Sequence, residues 1–174
     1  MNNFIYHNPT KIVFGKGVTD SFAAELTKIA ARKVLLVYGQ NSIVRSGLYD
    51  RITTQLKEAG IDYCEHAGVK GNPVLAHARQ GIELAKAAGV DTICAIGGGS
   101  VIDEGKAISL GVCSEYDIWD HYCKKQPVVR ALRLVAVLTL PATGSEANGI
   151  SVLTNDQTQE KVSLVCPGVL NPKI

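Results

Sequence analysis

The residues Gly97-Gly98-Gly99-Ser100 follow the apolar run Thr92-Ile93-Cys94-Ala95-Ile96 and precede Val101-Ile102-Asp103-Glu104-Gly105-Lys106. Their types and spacing suit one kind of chemistry, the holding of a phosphate. Glycine has no Cβ, so a ligand can reach the backbone closely. A helix that follows such a run leaves its first N–H groups without internal partners and partly positive. A pyrophosphate can accept from them. Ser100 adds a hydroxyl that can cap the helix or donate to phosphate. The alternative is a strand-to-helix turn that needs a positive φ, for which one glycine would serve. Two familiar templates are absent. A G-x-G-x-x-G fingerprint would require glycine at Ile102, and a Walker loop would require glycine at Ser100 and a hydroxyl residue at Ala107.

Two more segments present small polar groups after an apolar run. In Leu138-Thr139-Leu140-Pro141-Ala142-Thr143-Gly144-Ser145-Glu146-Ala147-Asn148, the residues Thr139, Thr143, Ser145 and Asn148 offer hydroxyls and an amide. Thr143 to Glu146 also matches a capping box, and the two readings are compatible. In Tyr38-Gly39-Gln40-Asn41-Ser42 there is no acidic residue of the kind that binds a ribose 2′-hydroxyl. Gly39 and Ser42 would admit a 2′-phosphate, with Arg45 as a nearby cation. The segment therefore favours NADP(H) over NAD(H). Asp103 and Lys106 are spaced i, i+3. They read either as a surface ion pair worth ~0.3 kcal/mol or, for Asp103, as a group looking toward the ligand crevice.

These segments need a scaffold, and the chain alternates strand and helix patterns. The pattern predicts strands at Lys11–Phe14, Val34–Tyr38, Ile61–Cys64, Thr92–Ile96 and Leu134–Thr139. It predicts helices at Asp20–Ala31, at Gly47–Ala59 with a stop at Gly60, from an Asn72-Pro73 start to Ala88, and at Ser100–Leu110. Ile150–Leu153 and Lys161–Val165 flank a polar turn and predict an antiparallel hairpin. Such alternation implies an α/β, Rossmann-like fold with a mostly parallel sheet and flanking helices. All three polar segments then fall at the carboxyl ends of strands, where open α/β sheets bind ligands. The final Asn171-Pro172-Lys173-Ile174 stops where another strand could begin.

Composition limits the classes of function. The 174 residues suffice for one core, read as a single dinucleotide-binding domain over 1–174. An apolar fraction of 46%, a charged fraction of 20% and a net charge of +2 suit a soluble globular domain, with no reason to expect a nucleic acid or membrane partner. There is no apolar run of the ~18 residues that a membrane span needs and no signal-peptide pattern, so the expected location is cytoplasmic. Cys64, Cys94, Cys113, Cys123 and Cys166 are odd in number and form no C-x-x-C pair, which argues against a disulfide framework or zinc knuckle. His7, His66, His77 and His121 show no metal-ligand spacing and read as surface or satisfied residues.

On Asn2-Asn3-Phe4, Phe14-Gly15-Lys16-Gly17, Tyr38 to Ser42, Gly97 to Asp103 and Leu138 to Glu146, the chain resembles the iron-containing alcohol dehydrogenase family, in its NADPH-dependent, butanol-dehydrogenase-like branch. The resemblance implies that Gly39 and Ser42 face the adenosine 2′-phosphate. It implies that Gly97, Gly98 and Ser100 hold the pyrophosphate, with Gly99 and Asp103 in the same motif. Thr139 and Thr143 would line the adenine and ribose side, completed by Asn148 and Lys161. The implied reaction is hydride transfer between NADP(H) and a primary alcohol or aldehyde, assisted by Fe²⁺ or Zn²⁺ as Lewis acid. The family's second, helical domain carries that metal on an Asp and three His, and the chain ends before any of them. The expectation is therefore a truncated cofactor-binding domain, inactive alone, forming a homodimer or self-associating through a bared apolar face. Two other readings stand beside it: a stand-alone nucleotide-binding or regulatory module, and a related polyol dehydrogenase or dehydroquinate-synthase-like enzyme.

Overall fold

Three apolar runs set the architecture. Val34–Tyr38, Thr92–Ile96 and Leu134–Val135 are almost wholly buried, as strands covered on both faces must be. In the computed structural model, which describes residues 3–5 and 7–174, they lie in three adjacent strands of a four-stranded sheet. Its strands are β1 (Lys33–Tyr38), β2 (Asp62–Ala67), β3 (Thr92–Gly98) and β4 (Arg133–Leu140). All pairings are parallel, in the order β2-β1-β3-β4.

Strand alternation divides the core in two. Leu35, Val37, Ile93 and Ala95 face one side, where α4 (Leu75–Ala88) and α5 (Gly99–Val112) pack on them through Ala78, Ile82, Ile102 and Ile108. Val34, Leu36, Cys94 and Ile96 face the other side, against Phe22 and Leu26 of α1 (Phe22–Lys28) and Ile52 and Leu56 of α3 (Leu48–Glu58). A four-residue helix, α2 (Ser42–Arg45), follows β1, and α6 (Ile118–Tyr122) precedes β4. The chain leaves β1 toward β2 and crosses back to β3 on the other side of β1. The strand order reverses between β1 and β3, so the crevice for a ligand opens at their carboxyl ends.

Outside the sheet, β5 (Ile150–Thr154) and β6 (Lys161–Val165) form the expected antiparallel hairpin. It leans on the start of α4 through a bridge between Val74 and Thr154. The last residues lie along β4: Lys173 N donates to Leu134 O at 2.7 Å and Ala136 N to Ile174 O at 2.8 Å. Among the described residues, no helix is long and apolar enough to cross a membrane. All five cysteines are free, and Cys94 is buried.

Several expectations need correction. Lys11–Phe14 forms no strand; its amide at Lys11 reaches Lys173 O at 3.0 Å, but Ile12 and Phe14 are 60% and 95% exposed, with no strand among the described residues to pair them. The first helix is shorter than Asp20–Ala31 because Ala30 takes a left-handed φ of 54° and ends it. Asn72 is likewise left-handed at φ 60°, so α4 starts at Leu75 after Val74 with no side-chain cap. Of the motif Asn2-Asn3-Phe4, Asn2 lies outside the described residues.

Candidate functional site

The strand β3 passes into α5 with no residue between them: Gly98 ends one and Gly99 begins the other. None of Gly97, Gly98 and Gly99 has a positive φ, and Gly98 is extended at φ −86°, ψ −171°. The turn that would need left-handed glycine is therefore absent. Space is the requirement instead. A Cβ on Gly97 would lie 2.6 Å from Val101 Cγ2, and one on Gly99 would collide with Thr143 Oγ1. Gly98 differs, because a Cβ there would meet only Leu140 at an ordinary 3.6 Å. The chain does not itself demand glycine at position 98.

Ser100 stands inside the first turn of α5 and does not cap it, and no other side chain does. The first N–H groups of a 14-residue helix thus point out at the end of β3. Opposite them, the register of β3 on β4 shifts between Gly97–Leu138 and Gly98–Leu140. Thr139 is the extra residue of this bulge and is exposed. Bulges re-aim side chains and concentrate beside sites. Thr143, also exposed, follows in the next loop and sits over Gly99. The capping box from Thr143 to Glu146 does not form. Gly144 takes φ 68°, and Ser145–Ala147 makes a single 3-10 turn without a side-chain cap.

Asp103 and Lys106 form no surface pair. Lys106 is fully buried, and its Nζ donates to Ser145 O at 2.7 Å, Ser145 Oγ at 2.8 Å, Asn148 O at 2.8 Å, Asn148 Oδ1 at 3.1 Å and Ile150 O at 2.8 Å. Burial pushes its pKa down to about 8, against the pull of Asp103 and Glu146 toward the charged form. Asp103 turns to the same segment. Its Oδ1 accepts from Ser145 Oγ at 2.6 Å and its Oδ2 from Val152 N at 3.2 Å. Burial raises the Asp103 pKa, while Ser145 and Lys106 draw it back down. Together the two side chains fasten residues 145–152 to α5. Asn148 is part of that fastening, since its Oδ1 also accepts from Ile150 N at 2.9 Å. Lys161 stands further off, on β6, donating to Asn72 Oδ1 at 2.5 Å.

At the end of β1, Gly39 leads into a cleft of about 420 Å³ lined by Gln40, Asn41, Ser42, Arg45, Lys70 and Gly71, among others. Ser42 is exposed at the start of α2. The lining carries two cations and no carboxylate. The structure thus gathers Gly39, Ser42, Gly97, Gly98, Gly99, Ser100, Thr139 and Thr143 at the carboxyl ends of β1, β3 and β4. Asp103 and Asn148 lie behind them, and Lys161 on the hairpin.

Sequence reasoning missed two features. The Lys106 fastening was signalled by a lysine set directly before the small and apolar residues Ala107-Ile108 on a helix whose neighbouring positions Val101-Ile102 are also apolar. The convergence of His66, His77 and Glu104 carried no spacing signal, because the three come from separate elements.

Comparison with known proteins places these features in company. The family model for iron-containing alcohol dehydrogenases matches residues 9–174. The chain is 49% identical over 161 residues to a probable NADH-dependent butanol dehydrogenase 2 of Bacillus subtilis, covering 92% of the chain and 41% of that protein. It is 34% identical to an NADPH-dependent aldehyde reductase of Escherichia coli, over 92% of the chain and 41% of the relative. The crystal structure of an NADH-dependent butanol dehydrogenase A from Thermotoga maritima superposes with a TM-score of 0.95 at 44% identity, covering 99% of the chain and 43% of that structure. The chain spans about two-fifths of the length of the relatives it matches.

Proposed function

The chain belongs to the iron-containing alcohol dehydrogenase family, and from that premise we propose that it is the cofactor-binding part of an enzyme moving hydride between a nicotinamide dinucleotide and a primary alcohol or aldehyde. One observation carries the reading. At the strand-order reversal, an uncapped 14-residue helix begins directly at a strand end, and Gly98 there lacks a Cβ that its own chain would tolerate. A group from outside the chain explains that vacancy, and the partial positive charge of the helix end selects an anion.

The dinucleotide supplies the hydride chemistry. The protein's part is to bind and orient it. Gly97, Gly98, Gly99 and Ser100 take the pyrophosphate, and Gly39 and Ser42 take the adenosine ribose end. Thr139 and Thr143 lie along the adenine and ribose side. Asp103 and Asn148 act by fixing the loop from Thr143 onward, and Lys161 closes the outer rim. The cleft beyond Gly39 has Arg45 and Lys70 and no acid, which supports acceptance of a 2′-phosphate and hence NADP(H). A second reading, NAD(H), has its own support, since the relative at 49% identity is described as NADH-dependent.

The Lewis-acid metal implied by the family does not fit this chain. Of the described residues, the grouping able to hold an ion is His66, His77 and Glu104, which is not one Asp and three His. Glu104 and His66 are buried between β2, α4 and α5 rather than facing the crevice. On this reading the 174 residues alone turn over no aldehyde, and metal-dependent aldehyde reduction by this chain would overturn it. The reading includes self-association, supported by the exposure of Phe4, Ile5, Ile12 and Phe14 and tested by sedimentation.

The test is a titration of the chain with NADPH and NADH, followed by nicotinamide fluorescence, with Gly98→Val beside it. Binding that disappears in the variant supports the cradle, and the preferred nucleotide decides between the two cofactor readings. Binding of both nucleotides unchanged by Gly98→Val overturns the cradle.

A further inference from the structure

The helix α5 holds a second buried charge that the cofactor reading does not use. Glu104 is fully buried. Its Oε1 lies 2.9 Å from His66 Nε2 and 2.6 Å from His77 Nδ1. Its Oε2 is buried with no hydrogen-bond partner among the described residues. His66 comes from the end of β2 and His77 from the first turn of α4, so three elements meet at one carboxylate. The two imidazole rings are 4.1 Å apart. The three ligand atoms lie within 4.8 Å of one another, the one such grouping of His, Cys, Asp or Glu among the described residues.

Counting protons shows what the cluster lacks. A carboxylate only accepts hydrogen bonds, and a neutral imidazole has one N–H. His77 Nε2 lies 3.2 Å from Ala67 O, which also only accepts. His77 has one N–H for two acceptors, Glu104 Oε1 at Nδ1 and Ala67 O at Nε2, so in its neutral form one of the two contacts is left without a proton. A cation held between Nδ1 and Oε1 supplies what is missing and leaves the N–H to Ala67 O. A backbone carbonyl that fixes the tautomer from behind is the arrangement of metal-binding histidines. The helix α4 leaves the room: a Cβ on Gly81 would lie 3.0 Å from His66 Nε2 and would overlap Ile108 Cδ1.

We propose that His66 Nε2, His77 Nδ1 and Glu104 bind a divalent transition-metal ion, Zn²⁺ by donor chemistry, which ties β2, α4 and α5 together. Two imidazoles and a carboxylate form a zinc donor set, whereas Mg²⁺ and Ca²⁺ take oxygen ligands. Metal–ligand bonds of ~2.0–2.2 Å place tetrahedral neighbours ~3.4 Å apart, so the cluster opens slightly from hydrogen-bond spacing. The His77 side chain, 23% exposed, has that freedom and admits water to the fourth position.

The test is a Co²⁺ titration of the 174-residue chain by d–d absorption, with Zn²⁺ competition and the thermal midpoint read in parallel. One equivalent should bind, Zn²⁺ should displace it, and the midpoint should rise. Glu104→Gln and His77→Ala should each weaken binding by about 100-fold or more, since even outer-shell changes cost 10–100-fold. Gly81→Ala should weaken it with all three donors kept, and His7→Ala should not. Circular dichroism reports folding; if Glu104→Gln fails to fold, the part-exposed His77→Ala decides. The absence of binding, affinity unchanged in His77→Ala, or a thiolate charge-transfer band from the cysteines would each overturn the site.

Discussion

Glu104 and Lys106 are two residues apart on α5, about 200° around the helix, and both are fully buried. Their surroundings differ. Lys106 meets five oxygens of the 145–150 segment, so its charge is matched by a shell built from the chain itself. Glu104 meets two imidazoles at one oxygen and nothing at the other. A buried charge costs several kcal/mol unless it is paired and hydrogen-bonded. On the Lys106 side the fold has met that cost internally, and the result is structural. On the Glu104 side valence is left over, and a ligand can use it.

The comparison breaks or sharpens under substitution. Lys106→Met should be the most damaging change, because it strands the carbonyls of Ser145, Asn148 and Ile150. A loss of about 3–5 kcal/mol is expected, read by urea unfolding. A loss below 1 kcal/mol would mean that the shell is not structural. Gly99→Ala forces a Cβ into Thr143 and should cost about 1–3 kcal/mol. Combining it with Thr143→Gly should recover much of the loss, whereas simple additivity would deny the contact. Glu104→Gln, without added metal, should cost only about 1 kcal/mol, well under Lys106→Met. Equal costs would erase the distinction between the two sides. Gly98→Ala should leave stability within about 0.5 kcal/mol while weakening nucleotide binding.

An exposed ion pair calibrates the rest. Asp117 receives Arg79 in a two-pronged pair at 2.8 and 2.9 Å, with both side chains over 40% exposed. The Arg79 hydrogen bonds, ahead of the Trp119 amide, hold its pKa below the usual value. A folded-state carboxyl with a lowered pKa adds stability above the unfolded value and loses it as pH falls through the folded one. Asp117→Asn should therefore cost about 0.5 kcal/mol at pH 7. The difference should close as the pH drops below about 4, measured by unfolding at both pH values.

Much of the scaffold was legible because burial on both faces writes continuous apolar runs. β1, β3 and β4 and the stripe of α3 were read at nearly their observed limits. Where the determinant was not burial, the reading slipped. Ile12 and Phe14 have strand-like chemistry but nothing in the described chain to pair with. Asn72-Pro73 has helix-start chemistry, yet Asn72 is left-handed and the helix waits two residues. In the site, the glycine run was recognisable, but its cause was not. Which glycines the chain itself needs depends on Val101 and Thr143, and that emerges only with β4 and its following loop in place. The His66, His77 and Glu104 cluster is a product of tertiary placement, with separations of 11 and 27 residues that no local pattern encodes.

The junction without a linker between β3 and α5 has a further consequence. Amides in a rigid core ordinarily resist exchange with solvent deuterium because they are hydrogen-bonded, not merely because they are buried. The first-turn amides of α5 sit directly between a buried strand and a buried helix, yet the helix gives them no acceptor and no side chain caps them. They should label fast beside neighbours that label slowly. This island of rapid exchange in protected surroundings should vanish when an anion arrives, so deuterium labelling reads the helix end directly.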